Sequence, residues 1–458
     1  MSDSKQPLIS IDKLAKVFEE STPSYNAQEA IDESNRCLYC YDAPCITACP
    51  TGIDVPAFIK GIASGNIKGA AKIIMEDNPV GATCARVCPT EELCEGACVL
   101  NHSTKPIMIG QLQRYATDWA IKNEQVLFKA GEKNGKCIAI IGSGPAGLSA
   151  ARELALLGYE VIVYEAKREG GGLDTHGIVP FRLPKDISLW EVKQVENLGV
   201  EIRTNIEVGK DILAEDLVKE FDAVILAVGM SKVPMLGIEG EELDGVYDAI
   251  DLVENVKING VTDEDFSGKR VAVIGAGNTA IDGATISARL GAKNVKIIYR
   301  RTEAEMTAYD FEYEFAKQDG VEFRWLMSPK RLIGDDKGHV KQMECVRMEL
   351  GEKGEDGRRH PVEVEDSTFT MDVDIVVKAI GQTRFRRLID HFGLEHNGGV
   401  VQVDPQTYQT SIPKVYAAGD VIFGKGQGEA MVVSAAQQGK EAAYSIHKQL
   451  NKSRIETA

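Results

Sequence analysis

Residues 137–165 read CIAIIGSGPAGLSAARELALLGYEVIVYE, and this stretch decides the fold. Cys137 to Ile141 is a short apolar run of strand length. Gly142-Ser-Gly144-Pro145-Ala146-Gly147 follows at once, then a helical stretch from Leu148 to Leu157. A second strand, Val161 to Tyr164, has Glu165 at its tip. This order is a βαβ unit of a parallel sheet. Its glycines have separate tasks: Gly142 permits the tight turn, Gly144 lets a diphosphate approach the backbone, and Gly147 lets helix and strand pack closely. The diphosphate sits at the helix N-terminus, where unpaired N–H groups face it. Glu165 lies 23 residues beyond Gly142, where an acid accepts bonds from ribose hydroxyls. The unit reads as a dinucleotide site.

The pattern recurs further along. Arg270 to Ile274 read as a strand, followed by Gly275-Ala-Gly277-Asn278-Thr279-Ala280, a helix to Leu290 and a strand from Val295 to Tyr299. Ala280 replaces the third glycine, a substitution the fingerprint allows. Arg300 and Arg301 follow the strand, with no acid at its tip. Arginine without an acid suits a ribose 2′-phosphate, which favours NADPH over NADH; the bland reading is a solvated basic pair. Two such sites in one chain suggest a tightly held FAD and an exchanging nicotinamide. Later, Val415 to Gly419-Asp420 is a strand running into a glycine and an acid, and a helix is expected from Glu429 to His447.

These features resemble the two-dinucleotide-domain disulfide reductases. In that family the acid at the place of Asp420 bonds the flavin's ribityl chain. The apolar runs Ala223–Gly229 (AVILAVG) and Asp374–Gly381 (DIVVKAIG) resemble its domain-crossing strands. The resemblance implies a split flavin domain with the nicotinamide domain inserted in it, and adds Gly172 and Leu173 to the flavin-binding set. Neither domain holds a redox-active CxxC, so electrons must leave by another route.

That route lies in the N-terminal direction. Eight of the ten cysteines fall between residues 37 and 98. They read Cys37-x2-Cys40-x4-Cys45-x3-Cys49-Pro50 and Cys84-x3-Cys88-Pro89-x4-Cys94-x3-Cys98. Thiolates are soft ligands for iron–sulfur clusters and zinc. A cysteine run ending in Cys-Pro is a bacterial ferredoxin signature, in which the last cysteine serves the other cluster. Zinc sites more often pair two CxxC knuckles, and here only Cys37/Cys40 has that spacing. Disulfides belong to secreted scaffolds, whereas the opening MSDSKQPLIS lacks a basic segment followed by an apolar core. The reading favours iron–sulfur, with zinc the alternative, and a reducing, cytoplasmic setting. Around the cysteines, Asp54-Val55-Pro56 reads as a helix start with Phe58, Ile59 and Ile62 on one apolar face. A helix from Ile67 to Met75 turns Ala70, Ala71, Ile73 and Ile74 inward, Asn78-Pro79 and Gly81 end it, and Ile107 to Ile121 is helical again.

The outer bounds agree. A chain of 458 residues is long enough for about three domains. A net charge of −17 argues against nucleic acid as partner, and no apolar run approaches the ~18 residues of a membrane span.

With both nucleotide units and the cysteine region placed, the chain resembles the electron-input subunits of bacterial dihydropyrimidine dehydrogenase and the small subunits of glutamate synthase, over nearly its whole length. The stretch CLYCYDAPCITACPTGIDVPAFIKGIASGNIKGAAKIIMEDNPVGATCARVCPTEELCEGAC and Ile107-Met-Ile-Gly110-Gln-Leu-Gln113 are most similar to the pyrimidine enzymes. YRRTEAEMTAYDFEYE is more similar to the glutamate synthase subunits. The resemblance implies one [4Fe-4S] cluster on Cys37, Cys40, Cys45 and Cys98, and another on Cys49, Cys88, Cys94 and Gln113. Cys84 matches a family cysteine that is not a ligand. Gln113 by itself reads as a surface helix residue. In Gly177-Ile-Val-Pro180-Phe-Arg182-Leu-Pro184, relatives more often read Gly-Ile-Pro-x-Phe-Arg-Leu, yet Arg182 stays in register beside the expected flavin.

The expected architecture is α/β: an α-helical double iron–sulfur domain (1–130), then two Rossmann-like domains, FAD (136–260 and 379–458) and NAD(P) (261–378). The linker 123–135 is polar. The expected activity is oxidation of NAD(P)H, with electrons passing by FAD and the clusters to a partner, most simply an FMN-containing barrel protein that reduces uracil or thymine. No catalytic side chain is expected, because the cofactors carry the chemistry. Glutamate synthesis, a stand-alone NAD(P)H-dependent reductase and a non-catalytic flavin scaffold are the alternatives.

Overall fold

The computed structural model describes residues 16–456 except 231, 261–264, 355–358 and 425–429, with side chains to residue 451. It is an α/β chain in two units. One comprises residues 20–175, 182–230 and 384 onward. The other comprises residues 16–19, 176–181 and 232–383 of the described chain.

The first unit begins with helices. α1 (Ala27–Asn35) starts in a capping box between Asn26 and Glu29. α2 (Val55–Ala63) starts where Asp54 accepts a bond from Ala57 N at 3.0 Å, with Pro56 in its first turn. α3 (Ile67–Asp77) buries Ala70, Ala71, Ile74 and Met75, while Ile73, expected inward, is only partly buried. Gly81, expected as a terminator, instead opens α4 (Gly81–Val87). α5 (Ile109–Lys122) begins two residues after Ile107. Phe58, Ile59, Ile62, Ile74, Leu112 and Ala116 close one core. Each large aliphatic or phenyl side chain there is worth about 1.5–3 kcal/mol in transfer from water.

Next comes a five-stranded parallel sheet in the order 415–417, 223–226, 137–141, 160–164, 201–203. Alternation along Cys137–Ile141 puts Ile138 and Ile140 into one core and Ala139 and Ile141 into the other. α6 (Pro145–Leu156) crosses one face, and α7 (Lys185–Glu196) follows.

The second unit repeats the design. Its parallel sheet runs 246–248, 375–378, 270–274, 294–299, 322–325, with α8 (Asn278–Arg289) after the glycine turn. Residues 246–248, expected within the first part of the flavin domain, pair with 376–378 and so belong to this sheet. An antiparallel sheet of Met327–Gly334, Val340–Lys353, Arg359–Glu363 and Phe369–Asp372, not anticipated from the sequence, supplies Leu332, Met343 and Cys345 to the core under Ala272 and Ile274.

The chain then returns to the first sheet with Val415–Ala417, and α9 (Val432–Glu456) packs on α6. Glu429, the expected start of that helix, lies outside the described residues. Among the described residues no helix is long and apolar enough to cross a membrane.

Candidate functional site

The first glycine turn is shaped by its own backbone. Gly142 has φ +98, and a Cβ there would lie 2.4 Å from Ala227 O. A Cβ on Gly147 would lie 2.0 Å from Gly142 O, the close helix–strand approach that only glycine allows. Gly144 differs, since a Cβ there would meet nothing nearer than Gly172 Cα at 3.9 Å. That space leaves the backbone open to the approach of a ligand. Gly172 itself has φ +57, and a side chain on it would close that space at 2.7 Å from Gly144 Cα. The first turn of α6, Pro145-Ala146-Gly147, has no side-chain cap, so the N–H groups of Ala146 and Gly147 remain for an anion.

Glu165 sits at the strand tip, as expected. Its Oε2 accepts from Ser143 N (3.0 Å) and Ser143 Oγ (2.6 Å), and its Oε1 accepts from Lys167 N (2.8 Å). A carboxylate has about four acceptor positions, so room remains for ribose hydroxyls. Ser143 also ties in Gly171 N at 3.2 Å, a hub that the motif gave no reason to single out. Leu173 begins the short helix Leu173–His176, and Arg182 is partly buried in the same unit. Val179 and Phe181, from the motif before Arg182, pack into the core of the second unit.

Gly419 and Asp420 come to the same end of the first sheet. Gly419 has φ +79, and a Cβ on it would lie 3.0 Å from Ala146 Cβ; its N–H donates to Gln438 Oε1 at 2.8 Å. Burial pushes the Asp420 carboxyl up, and Arg384 opposes this. Arg384, missed in the sequence, donates to Asp420 O and Phe423 O, each at 2.7 Å. Gly439 of α9 lies against α6, with a Cβ position 2.0 Å from Ala146 O.

The second turn is built alike. Gly275 has φ +125 and faces Ala379 O, while a Cβ on Gly277 would meet only the Thr307 hydroxyl, at 3.2 Å. Asn278 and Thr279 open α8, which again has no side-chain cap. Asn278 Oδ1 is buried without a hydrogen-bond partner, as a group awaiting a ligand would be. The two arginines separate. Arg300 is exposed, whereas Arg301 is 8% exposed and donates from Nε to Arg359 O at 2.9 Å.

None of the ten cysteines is in a disulfide. Cys37, Cys40, Cys45 and Cys98 line one pocket with Pro44, Ile59 and Ile107. Burial raises the thiol pKa of Cys37, and burial followed by the charge of Cys37 pushes Cys45 up to about 11. Thiolates held in such a wall need positive charge among them, which a metal centre supplies. Cys94 is raised well above the ordinary thiol value by burial, with Glu95, Cys88 and Cys49 adding in that order, so these three cysteines form a second group. Cys49 and Cys88 also pack against a core that joins Val80 and Cys84 to the first sheet, and Cys49 packs against the helical core as well. Gln113, expected at the surface from its own sequence context, is 7% exposed and donates from Nε2 to Gly81 O at 2.7 Å. That bond leaves Oε1 as the atom a metal would take. Cys84 is buried beside Cys88.

Residues 14–125 match the family described as dihydropyrimidine dehydrogenase domain II, 4Fe-4S cluster, and residues 136–439 match pyridine nucleotide-disulphide oxidoreductases. Over 457 residues the chain is 35% identical to the small chain of NADPH glutamate synthase from Escherichia coli, covering 96% of this chain and 95% of that one. It is 36% identical over 433 residues to subunit PreT of the NAD-dependent dihydropyrimidine dehydrogenase of Salmonella typhimurium, covering 94% and 96%. It is 37% identical over 432 residues to the β subunit of NADP(+)-dependent formate dehydrogenase from Moorella thermoacetica, covering 89% of this chain and 60% of that one. In fold it is similar to FprA, an oxidoreductase of Mycobacterium tuberculosis, with TM-score 0.59 and 22% identity over 70% of this chain and 86% of FprA. The chain belongs to the pyridine nucleotide-disulphide oxidoreductases, in the branch that adds a 4Fe-4S domain and includes glutamate synthase small chains and PreT subunits, and is an oxidoreductase of the NAD(P)H, FAD and iron–sulfur type.

Proposed function

We propose that this chain is the electron-input subunit of a two-subunit dehydrogenase, taking electrons from NAD(P)H and delivering them to a partner that reduces uracil or thymine. The observation that carries this reading is the grading of the two cysteine groups. Cys49 and Cys88 pack against the core that includes the first sheet, whereas the other group lies by exposed Leu38 (60%) and Tyr41 (99%). A route from an inner site to the surface suits a chain that hands electrons to another protein. Three relatives with differently named activities share this chain's length of sequence. The shared part is then the input, and the acceptor differs with the partner.

The residues divide the work. Gly144 and the first turn of α6 hold the flavin's diphosphate, Glu165 its ribose and Asp420 its ribityl chain. Gly172, Leu173 and Arg182 line the same seat. Gly277, Asn278 and Thr279 seat the nicotinamide's diphosphate, and Arg300 meets its 2′-phosphate. Cys37, Cys40, Cys45 and Cys98 hold one [4Fe-4S] cluster, and Cys49, Cys88, Cys94 and Gln113 hold the other. When bound, the flavin and clusters turn a two-electron hydride into single electrons. The chain contributes alignment and exclusion of water.

The test combines composition with coupling. Anaerobically purified protein should contain about eight iron and eight sulfide, the sum for two clusters. Alone it should oxidise NAD(P)H with artificial acceptors and leave uracil unreduced. Addition of an FMN-containing partner should start pyrimidine reduction, and Cys49→Ala should stop that step while sparing hydride uptake. Uracil reduction by the isolated chain, or stoichiometric zinc without sulfide, would overturn the proposal. A second reading, the small subunit of a glutamate synthase, draws on the 35% identity over 457 residues. Co-purification with a large amidotransferase-containing protein would select it.

A further inference from the structure

Outside the nucleotide turns and the cysteine groups, the first unit buries a carboxylate that the chemistry above does not use. Glu191, on α7, is 1% exposed. Its Oε1 accepts from the backbone N–H of Ala82 (2.7 Å) and of Thr83 (3.0 Å), and its Oε2 accepts from the Thr83 hydroxyl (2.5 Å). All three donors belong to the first turn of α4. The carbonyl of Gly81, one residue earlier, takes the bond from Gln113 Nε2. At the other end of α4, Cys88 closes the helix through its N–H to Cys84 O at 3.1 Å. One carboxylate from the flavin-type domain therefore grips the segment that leads to Cys88 and touches Gln113.

The charge of this group is unusually placed. Among the described residues no lysine or arginine pairs with it. The cation that acts on it is Arg86, whose guanidinium is already bonded to Glu20 (2.8 Å) and Asp118 (2.6 Å). Burial pushes its carboxyl up to about 7 against the bonds from Thr83 and Ala82. A helix of this length rises about 1.5 Å per residue, so the gripped turn and Cys88 are roughly 8–9 Å apart. Across a dry interior, a negative charge at that range opposes arrival of an electron.

We propose that Glu191 is a positioning residue for the site formed by Cys49, Cys88, Cys94 and Gln113, and that its negative charge sets how readily a cluster there accepts an electron. This rests on the reading of that site as a [4Fe-4S] site. It assigns to one side chain the mechanical and electrostatic coupling between the flavin-type domain and its nearer cysteine group.

The experiment is a potentiometric titration of the full-length holoprotein, followed by electron paramagnetic resonance at pH 8.5, where the carboxylate is ionised. Glu191→Gln keeps an oxygen for the two N–H groups and removes the charge. It should retain flavin and about eight iron. One cluster should become about tenfold easier to reduce, an upward shift of about 59 mV for a one-electron couple, with the other unmoved. Full iron with both potentials unmoved overturns the role of Glu191. If the Gln variant loses both flavin and iron, Glu191→Asp decides, since it keeps the charge but withdraws it by one methylene. Full iron with potentials near the wild type, which the retained charge predicts, or loss of about half the iron with flavin retained, supports the assignment; joint loss of flavin and iron overturns it. Wild-type protein with a single cluster would instead remove the cluster reading itself.

Discussion

The two glycine turns carry the same motif and are closed in different ways. Over the first, Gly419 and Gly439 bring the C-terminal segment onto Ala146, and Glu165 is locked to Ser143. Over the second, the nearest neighbour of Gly277 is one hydroxyl, Asn278 Oδ1 has no partner, and Arg300 is exposed. The motif makes both turns nucleotide seats. What packs on the first turn of the following helix differs: the C-terminal segment lies on Ala146 in the first, and the Thr307 hydroxyl faces Gly277 in the second.

Substitutions in the two helices can break this contrast. Gly439→Ala should have the largest effect. Helix propensity alone would gain about 1 kcal/mol, but the new Cβ would stand 2.0 Å from the carbonyl oxygen of Ala146. Backbone cannot step aside, so a net loss of roughly 2–3 kcal/mol is expected, seen as a lower melting temperature and flavin lost on purification. Retained flavin with an unchanged melting temperature would mean that α9 does not seal the first seat. Glu165→Ala should cost about 2 kcal/mol by orphaning the Ser143 and Lys167 donors, and flavin binding should weaken while NAD(P)H binding holds. Equal weakening of both would erase the distinction.

At the second turn the effects are smaller. Arg300→Ala should weaken NADPH by roughly 1–2 kcal/mol and leave NADH nearly unchanged, the signature of a lost charge-assisted bond to phosphate. Arg301→Ala should lower stability without that selectivity, because its Nε holds the strand at Arg359. Reversal of the two results would exchange their roles. Gly283→Ala in α8 should be smallest, within about 1 kcal/mol of neutral, because its Cβ would meet the movable Val377 Cγ1 at 3.3 Å rather than backbone. A loss as large as that of Gly439→Ala would show that both helices are sealed alike.

The sequence is most legible where local signals coincide. Cys137–Ile141 and Arg270–Ile274 have the strand bounds expected, since an apolar run meets a glycine at each C-terminal end. Asp54 and Pro56 likewise place the start of α2. Non-local effects are harder to read. The strand Val340–Lys353 escapes because a register shift at Glu344/Cys345 breaks its period of two, with Cys345 and Val346 both buried. The strand 246–248 finds its sheet only through a partner some 130 residues away in sequence. Within the site, the glycines and cysteines are legible because their types are rare and their spacing is short. Gln113 is not, since its burial depends on the Gly81 carbonyl of another helix. The separation of Arg300 from Arg301 likewise depends on Arg359.

The strand at 415–417 forms one edge of the first sheet, beside 223–226, although the entire second sheet lies between them in sequence. On the ribosome the second sheet can therefore finish first. At roughly 5–20 residues per second, the nascent chain spends seconds with its second sheet complete and its first sheet open. During that interval the 223–226 strand shows an unpaired edge, the feature most prone to pair with another chain. A nascent chain stalled with residue 378 outside the ribosome and residue 415 still inside should accordingly protect the 270–378 region from protease and leave 137–226 susceptible. The order of the strands in sequence makes the first sheet the last to close and the one most exposed to mispairing during synthesis.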